Sequence, residues 1–277
     1  MGSKIIVDSC CDLTPELREK MNAVVVPLSI TLEEKVFVDD DSLDLPGFME
    51  EMKNCTGRIG SAAPSPMLFK EAFEGADTAY GVTLSSNLSA SYSNAMLGKT
   101  LAEEDSGTDV HVFDSKSATA GEVLVALEIK KMIDQGCHKS GIVTTIEEFI
   151  RQMKTYFVLD NIDNLLKNGR LNKVVGKIIC LLGIKPLMGS DGDGNISLFG
   201  TVKGPKQIVE RLAGLIEKSL RDTRGRNLVI THCNNPSLAA RLREAIEKRY
   251  SFKEIFVLPT KGLSSVYANV GGIVIAY

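Results

Sequence analysis

The feature that most restricts the fold is a regular alternation of short apolar runs with helical patterns through the first half of the chain. KIIV (4–7), TAYGVTL (78–84) and DVHVF (109–113) have the composition of strands, and helical patterns occupy 88–104 and 119–134. Strands that alternate with helices at this spacing predict a parallel sheet covered by helices.

The second half has a different pattern. A predicted strand at 156–160 is followed by helical segments and by a hairpin in which DGDGN (191–195) joins two apolar runs. Further strand and helix patterns continue to the last apolar run, GGIVIAY. We therefore predict an α/β protein of two domains, an N-terminal parallel-sheet α/β/α sandwich (1–155) and a C-terminal α+β domain (156–277), with the ligand site between them.

Composition excludes several classes of protein. The chain has 277 residues, 44% hydrophobic and 24% charged, and a net charge of −3, which is typical of a globular protein without affinity for nucleic acid. The six cysteines are scattered without a CxxC pair and the three histidines lie far apart, so we expect reduced thiols and no metal centre. MGSKIIVDS has no signal-peptide core, so a cytoplasmic location is expected.

Local signals predict where several elements begin. Thr14 and Ser65 each precede a proline and predict helix N-caps. AVVVPLSI (23–30) is predicted as one strand. Thr145 and Glu148 have the spacing of a capping box, which predicts a helix that runs to about residue 154. NKVVGKIICLLG (172–183) has a helical pattern.

Three hydroxyl-rich segments flank predicted strand ends. VTLSSNLSASYSNA (82–95) places five serines at a junction between strand and helix, and GSAAPSP (60–66) and VDSCCD (7–12) are the other two. Loops at the carboxyl ends of parallel strands lie on one edge of a sheet, where hydroxyls can bind a carboxylate or a phosphate. Helix capping and turn formation are the competing interpretation of each serine.

The serine segments lack the marks of a nucleophile or of a nucleotide site. The sequence contains no GxSxG, and no serine has a histidine at a recognisable spacing, which favours binding over acyl transfer. GxxxxGK[ST] and GxGxxG are absent as well. The DGDGN segment resembles a calcium loop, but its twelfth position is Val202 rather than glutamate, which favours a hairpin turn.

Two other side chains attract attention. Arg170 follows a glycine at a predicted helix end, where it could cap carbonyl groups or reach an acidic ligand across the domain interface. His232 ends a predicted strand and is interpreted as a hydrogen-bonded structural histidine.

Seven segments, in order along nearly the whole chain, resemble the DegV family of bacterial fatty-acid-binding proteins. They are VDSCCDL, VVPLSI, SAAPSP, SSNLSASY, FDSKSAT, LLKNGRL and GIKPL. SAAPSP is similar to the family's (Thr/Ser)-Ser-Gln-Pro-Ser-Pro segment, and SSNLSASY to its Ser-Ser-x-Leu-Ser-Gly-Thr-Tyr signature, with Ala90 in place of the signature glycine.

The resemblance implies a protein without a catalytic residue, metal or cofactor that holds one long-chain fatty acid, such as palmitate, stearate or oleate, in a buried tunnel. It places the carboxylate at Ser61, Ser89, Ala90 and Arg170. Asp8, Ser9 and Tyr267 would be head-group neighbours. The candidate tunnel residues are apolar: Ile30, Phe113, Leu159, Ile162, Leu165, Leu166 and Ile184.

The resemblance also implies a partner. Members that act with a fatty acid kinase present the acyl group to that kinase for acyl-phosphate formation, and Lys203 falls where such members carry a basic residue. Many members end in a His-x-Gly-Pro-Gly segment, whereas this chain has Tyr267 in the region of that histidine. The alternatives are a small-molecule hydrolase or transferase that uses the Ser61/Ser89 cleft, and a lipid-sensing regulatory protein.

Overall fold

The computed structural model of the chain describes residues 2–171 and 183–277. The strands in these ranges, β1 to β13, are Ser3–Asp8, Ala23–Val26, Ser29–Leu32, Lys35–Val38, Ile59–Ala62, Thr78–Thr83, Asp109–Asp114, Thr155–Val158, Lys185–Ser190, Ile196–Val202, Asn227–His232, Glu254–Pro259 and Ile273–Ala276. The helices described there, α1 to α10, are Pro15–Met21, Leu45–Asn54, Pro66–Phe73, Ser91–Ser106, Ala120–Asp134, Lys139–Gln152, Asp163–Lys167, Gly204–Ser219, Pro236–Glu247 and Gly262–Ala268.

The first sheet is parallel throughout. Its strand order is β2-β1-β6-β7, so the chain begins in the middle of the sheet and places neighbouring loops at one edge. Helices α3 and α4 cover one face, where Phe69, Phe73 and Ala95 pack against Ile6 and Val112. The predicted parallel sheet covered by helices is therefore confirmed.

Helix α5 joins the two halves of the molecule. One apolar cluster contains Val82 of the first sheet, Leu124 of α5, and Val229 and Val274 of a second sheet. The sequence of α5, AGEVLVALEI, is apolar around most of its circumference because the helix is buried between two sheets. The one buried acidic residue of α5 is Glu122.

The second sheet contains six strands in the order β10-β9-β8-β13-β11-β12. Antiparallel pairs dominate it, although β11 and β12 are parallel and are connected through α9. Helices α8 and α9 cover its outer face and α5 packs on its inner face. The second predicted feature, a separate C-terminal region of sheet and helices that includes the DGDGN hairpin, is thus confirmed.

A small third sheet, in the order β4-β3-β5, was not predicted. The segment 23–30 is not one strand as expected, because residues 23–26 pair with β1 whereas β3, which begins at Ser29, pairs with β4 and β5. Pro27 lies between the two strands. It has no backbone N–H for a sheet ladder, so the chain leaves the first sheet at this point.

Helix boundaries agree with the cap signals in two places and differ in a third. The hydroxyls of Thr14 and Ser65 accept from Leu17 and Leu68 at the starts of α1 and α3, as predicted. The capping box at Thr145 and Glu148 is wrong, because α6 begins six residues earlier, at Lys139. A buried stripe of isoleucines at 142, 146 and 150 continues the helix through this site.

The remaining predictions are partly outside the described residues. The helix expected at 172–183 falls almost entirely there, as does Cys180. Within the described parts of the chain, no helix is long and apolar enough to cross a membrane. The boundary near residue 155 stays a prediction, although every strand of the second sheet begins at or after Thr155.

Candidate functional site

A cavity of about 260 Å³ lies between the two sheets and the small third sheet. Cys10 and Leu84, which follow β1 and β6, form part of its wall, so the cavity occupies the carboxyl-end edge of the first sheet where α/β proteins bind ligands. The apolar part of the wall is formed mainly by Leu28, Leu84, Leu88, Phe157, Leu159, Leu165, Ile196, Leu263 and Val274.

Strand β8 shows how the sequence divides the two faces of the second sheet. Thr155, Phe157 and Leu159 line the cavity, whereas Tyr156 and Val158 belong to the core beneath α8 and α9. Successive side chains of a strand point to opposite faces of the sheet. Because both faces of β8 are buried, the segment 155–159 is largely apolar, and Thr155 supplies its one hydroxyl on the cavity side.

Ser61 and Tyr267 meet at one part of the cavity wall. The Ser61 Oγ lies 3.0 Å from the Tyr267 Oη, although the two residues are 206 positions apart. Ser61 is held in β5 opposite Ile30, and Tyr267 is held in α10. One hydroxyl hydrogen satisfies this contact, and the second remains available for a ligand.

Ser89 lines the same cavity from the turn that precedes α4. Its Oγ accepts a hydrogen bond from the Ser91 N–H at 3.1 Å, which fixes the side chain and leaves its own hydrogen free to donate. Ala90 follows it in the wall. The Asn94 side chain of α4 donates a 2.8 Å hydrogen bond to the Pro64 carbonyl, which holds this turn beside the segment that carries Ser61.

Arg170 brings a positive charge to the site, whereas the other cationic lining residue, Lys116, forms an ion pair with Asp114 at 2.9 Å. Its Nε donates to the Leu88 carbonyl at 3.1 Å and its Nη1 donates to the Asn168 carbonyl at 2.6 Å. The remaining N–H groups of the guanidinium have no bond to any residue that the structure describes, and Arg170 forms no ion pair with those residues. The backbone contacts therefore orient a cation that is unneutralised within the described protein.

The chemistry of these four side chains suits an anion. Among the described residues that line the cavity there is no aspartate, glutamate or histidine, so the hydroxyls and the guanidinium face no competing negative charge. For the same reason, no described lining residue is a histidine or a carboxylate that could act as general base for Ser61 or Ser89. Most of the remaining wall is apolar, which suits a ligand with one charged end.

Comparison with known proteins identifies the family. The model of the DegV family, described as uncharacterised proteins, matches residues 3–277. This chain belongs to the DegV family. The resemblance found in the sequence is thereby confirmed across almost the whole chain.

Similar solved structures and relatives cover the chain from end to end. A DegV family protein from Ruminococcus gnavus, described with vaccenic acid, has a TM-score of 0.95 at 37% identity and covers 100% of this chain and 99% of its own. The Streptococcus pneumoniae Fatty Acid Kinase (Fak) B3 protein loaded with linoleic acid has a TM-score of 0.92 at 36% identity, with the same coverage. A DegV domain-containing protein of Streptococcus pneumoniae is 37% identical over 283 residues, which is 100% of this chain and 99% of the relative.

Asp8 and Ser9 of this DegV protein stand behind the cavity rather than in its wall. The Asp8 carboxylate accepts from the N–H groups of Cys10 and Leu84 and from the Ser91 hydroxyl, and it therefore connects the loops after β1 and β6. Ser9 accepts from the Leu28 N–H at 3.0 Å. Neither is among the lining residues, so both support the site from outside.

A cluster of buried acidic groups surrounds Asp8. Burial raises the pKa of Asp8, and burial together with the charge of Asp8 raises the pKa of Glu122 well above its usual value. Neither carboxyl oxygen of Glu122 has a hydrogen-bond partner among the described residues. Burial also raises the pKa of Asp12 to about 8, even though Asp12 Oδ1 accepts a hydrogen bond from the Lys261 N–H, which acts to lower the pKa. Burial thus disfavours the ionised form of each of these carboxyls, and they form no group of three or more potential metal ligands in the described chain.

Several residues were not found by sequence reasoning. Asp39, the first of three successive aspartates, accepts from the N–H groups of Gly262 and Leu263 and so anchors the helix that carries Tyr267. Ser117 and Thr119 line the cavity from FDSKSAT, a segment that carried the family resemblance without an assigned role. That resemblance was the available signal.

The structure places some of the remaining predicted residues in the cavity wall and others outside it. Of the seven candidate tunnel residues, Leu159 and Leu165 line the cavity, and the others do not: Ile30, Phe113, Ile162, Leu166 and Ile184. Lys203 is exposed at the start of α8, away from the cavity wall. The DGDGN turn packs on the first half of the molecule, since the Ser85 hydroxyl donates to the Gly194 carbonyl at 2.9 Å.

The hairpin turn needs glycine at this contact. Gly194 has a φ of +91°, and a Cβ at this position would lie 2.2 Å from the Ser85 Oγ. The residue therefore allows both the left-handed backbone and the close approach. This contact closes the part of the cavity wall formed by Gly194 and Asn195.

Proposed function

We propose that this DegV protein binds one long-chain fatty acid in the cavity, with the carboxylate at Ser61, Ser89, Tyr267 and Arg170. The observation that supports this most is the placement of neutral hydroxyls, and of one guanidinium without an ion pair among the described residues, in the wall of a largely apolar cavity. The related proteins described with vaccenic and linoleic acid support the ligand class.

The apolar and the polar parts of the cavity wall contribute differently to binding. A palmitoyl-sized chain contains roughly fifteen methylenes, and at about 0.8 kcal/mol each their burial contributes about 12 kcal/mol before the cost of association. The carboxylate adds little net affinity because it must be desolvated. Its charge-assisted hydrogen bonds offset that penalty and determine which end of the ligand lies at Ser61.

The test is direct identification of the ligand. Organic extraction of the purified protein followed by mass spectrometry is expected to recover a fatty acid at close to one equivalent per chain. Delipidated protein is expected to take up palmitate or oleate with the same stoichiometry. Recovery of no fatty acid, together with no uptake of either acid, would refute the proposal.

We further propose that the protein presents its bound fatty acid to a fatty acid kinase. The name of the related Streptococcus pneumoniae protein supports this partner, and Lys203 is an exposed basic residue free to contact it. In this reaction ATP transfers its γ-phosphoryl group to the acyl carboxylate, which yields acyl phosphate and ADP.

Acyl-phosphate formation with a fatty acid kinase and ATP tests this second step. Lys203→Glu is expected to lower the rate at subsaturating carrier concentration while the fatty acid remains bound. Lys206→Glu, three residues further along α8 and equally exposed, is the matched control. Equal rates for the two variants would exclude Lys203 from the contact, and no phosphorylation with any carrier concentration would exclude the partner.

A further inference from the structure

A second group of hydroxyls lines the cavity, in addition to those of the proposed carboxylate site. Ser117, Thr119 and Thr155, here called the hydroxyl cluster, all line the cavity and are all buried. Thr155 in β8 and Leu159, which directly follows β8, both line the cavity and are four residues apart, and four residues of extended chain span about 13 Å. Leu159 belongs to the apolar cluster that packs around α10, the helix that carries Tyr267.

After the hydrogen bonds of the hydroxyl cluster are formed, one donor and one acceptor remain available to a group in the cavity. Ser117 Oγ lies 2.7 Å from Thr155 Oγ1, and Thr119 Oγ1 accepts a hydrogen bond from the Thr231 hydroxyl at 3.2 Å. No described residue accepts the hydroxyl hydrogen of Thr119. Thr155 Oγ1 still has a lone pair to offer after it has bonded to Ser117. The wall therefore presents a donor and an acceptor within an apolar cavity.

The local backbone is strained at the position where these hydroxyls are placed. Thr119 has φ +51° and ψ −114°, a conformation that a β-branched residue rarely adopts. Gly121 leaves the space that the pair next to it occupies, since a Cβ there would lie 2.0 Å from Ser117 Oγ and 3.1 Å from Thr155 Oγ1. A wall required only to contact methylenes could use alanine and valine without either feature.

We propose that the hydroxyl cluster binds an oxygen substituent on the acyl chain, so that the ligands of this cavity include hydroxylated fatty acids. This inference rests on the proposed fatty-acid binding. A plain methylene chain leaves the Thr119 hydrogen buried without an acceptor, whereas a ligand hydroxyl accepts from Thr119 and donates to Thr155. The position of the substituent is selected because the carboxylate fixes the other end of the chain.

The experiment compares hexadecanoic acid with its monohydroxy isomers, in which the hydroxyl is moved one carbon at a time along the chain. Binding to the delipidated protein is measured by calorimetry. One isomer, or two adjacent ones, is expected to bind about tenfold more tightly than the others, because a hydroxyl placed elsewhere is buried without a partner.

Thr155→Val tests whether the hydroxyl cluster causes this preference. Valine keeps the shape and suits a strand, so the variant is expected to lose most of the tenfold preference, measured as the ratio of its affinities for the isomers. Thr83→Val is the matched control, since Thr83 is buried at the end of β6 with an unpartnered hydroxyl and does not line the cavity. Its isomer preference is expected to be unchanged.

The outcomes separate the two proposals. Binding of hexadecanoic acid with equal affinity for all isomers, or a preference that survives in Thr155→Val, overturns the inference and leaves fatty-acid binding intact. Absence of binding by every acid, hexadecanoic acid included, overturns both. Urea unfolding of each variant confirms that the comparison is made between folded proteins.

Discussion

Two polar regions lie at the same edge of the first sheet and use opposite chemistry. In the cavity wall, Ser61, Ser89 and Tyr267 offer hydroxyls beside the Arg170 cation. Behind that wall is the carboxyl cluster, Asp8, Asp12 and Glu122, which is buried and excluded from the cavity. The first region has unused donors, whereas the carboxyls of Asp8 and Asp12 accept from backbone groups.

The difference shows how a fold can keep a site ready for an anion. Burying a neutral hydroxyl in an apolar wall without a ligand costs only a modest free energy, and the hydroxyl does not repel an incoming carboxylate. A carboxyl group in the same wall would oppose the ligand unless it were protonated. The acidic residues are therefore placed where they hold loops together, and burial raises the pKa of Asp8, Asp12 and Glu122 toward their neutral forms.

The largest expected effect comes from removing Asp8. Asp8→Ala leaves the N–H groups of Cys10 and Leu84 buried without an acceptor and is expected to lower the free energy of unfolding by about 4 kcal/mol. Urea unfolding measures it. Asp8→Asn keeps one acceptor oxygen and is the control, with a smaller loss expected. An Asp8→Ala protein as stable as the unmodified one would remove the structural role assigned here.

The next effect concerns affinity rather than stability. Ser61→Ala combined with Ser89→Ala is expected to weaken fatty-acid binding by roughly 2–4 kcal/mol and to leave unfolding nearly unchanged, because in the proposed site both hydroxyls bind the carboxylate. The control combines Ser86→Ala with Ser93→Ala, two exposed serines of the segment that carries Ser89, and neither lines the cavity. Equal affinity of the two double variants would contradict the assigned carboxylate site.

A pH effect of intermediate size is expected from the carboxyl cluster. Burial raises the pKa of Asp12 from 3.8 to about 8, so the folded state holds a proton that the unfolded chain has lost. The resulting stability is complete below pH about 4 and is lost as the pH rises to about 8, by about 2 kcal/mol over the last two pH units.

Thermal unfolding across this range measures the decline. Asp12→Asn is expected to make the stability of the protein less dependent on pH, whereas Glu34→Gln, at an exposed turn, is expected to leave the dependence unchanged. A decline of the same size in Asp12→Asn would show that Asp12 is ionised in the folded protein at neutral pH.

The smallest effect is expected at the edge of the carboxylate site. Tyr267→Phe removes the hydroxyl that lies 3.0 Å from Ser61 and is expected to weaken fatty-acid binding by about 1 kcal/mol. Tyr92→Phe, on α4 and outside the cavity wall, is the control. If the two variants bind equally well, Tyr267 orients nothing in the ligand and the hydroxyl site consists of the serines alone.

Prediction from sequence succeeded where local signals and burial agree. The first sheet follows from apolar runs such as KIIV, and the caps at Thr14 and Ser65 follow from proline at the next position. The third sheet was missed because its short strands have mixed burial and lie on both sides of α2. The start of α6 was missed because a capping pattern inside a helix looks the same as one at its end.

In the functional site, too, sequence motifs predicted the position of some residues and not of others. Family motifs in the sequence pointed to Ser61, Ser89, Arg170 and Tyr267, and the structure brings all four to one cavity. The same motifs suggested Asp8 and Ser9 as neighbours of the head group. A short motif does not state which of two successive side chains faces the cavity, since that depends on how the loop is packed against β6 and the hairpin turn.

The sequence by itself determined the α/β class, the family and the hydroxyl-rich segments, because strand periodicity, caps and motifs are local properties of the chain. Only the tertiary structure decided that Ser61 contacts a tyrosine 206 positions away, that Asp8 lies behind the wall, and that a second set of hydroxyls faces the cavity. These contacts depend on how α5 is buried between two sheets, and the free energy of that burial is shared by residues from both halves of the chain.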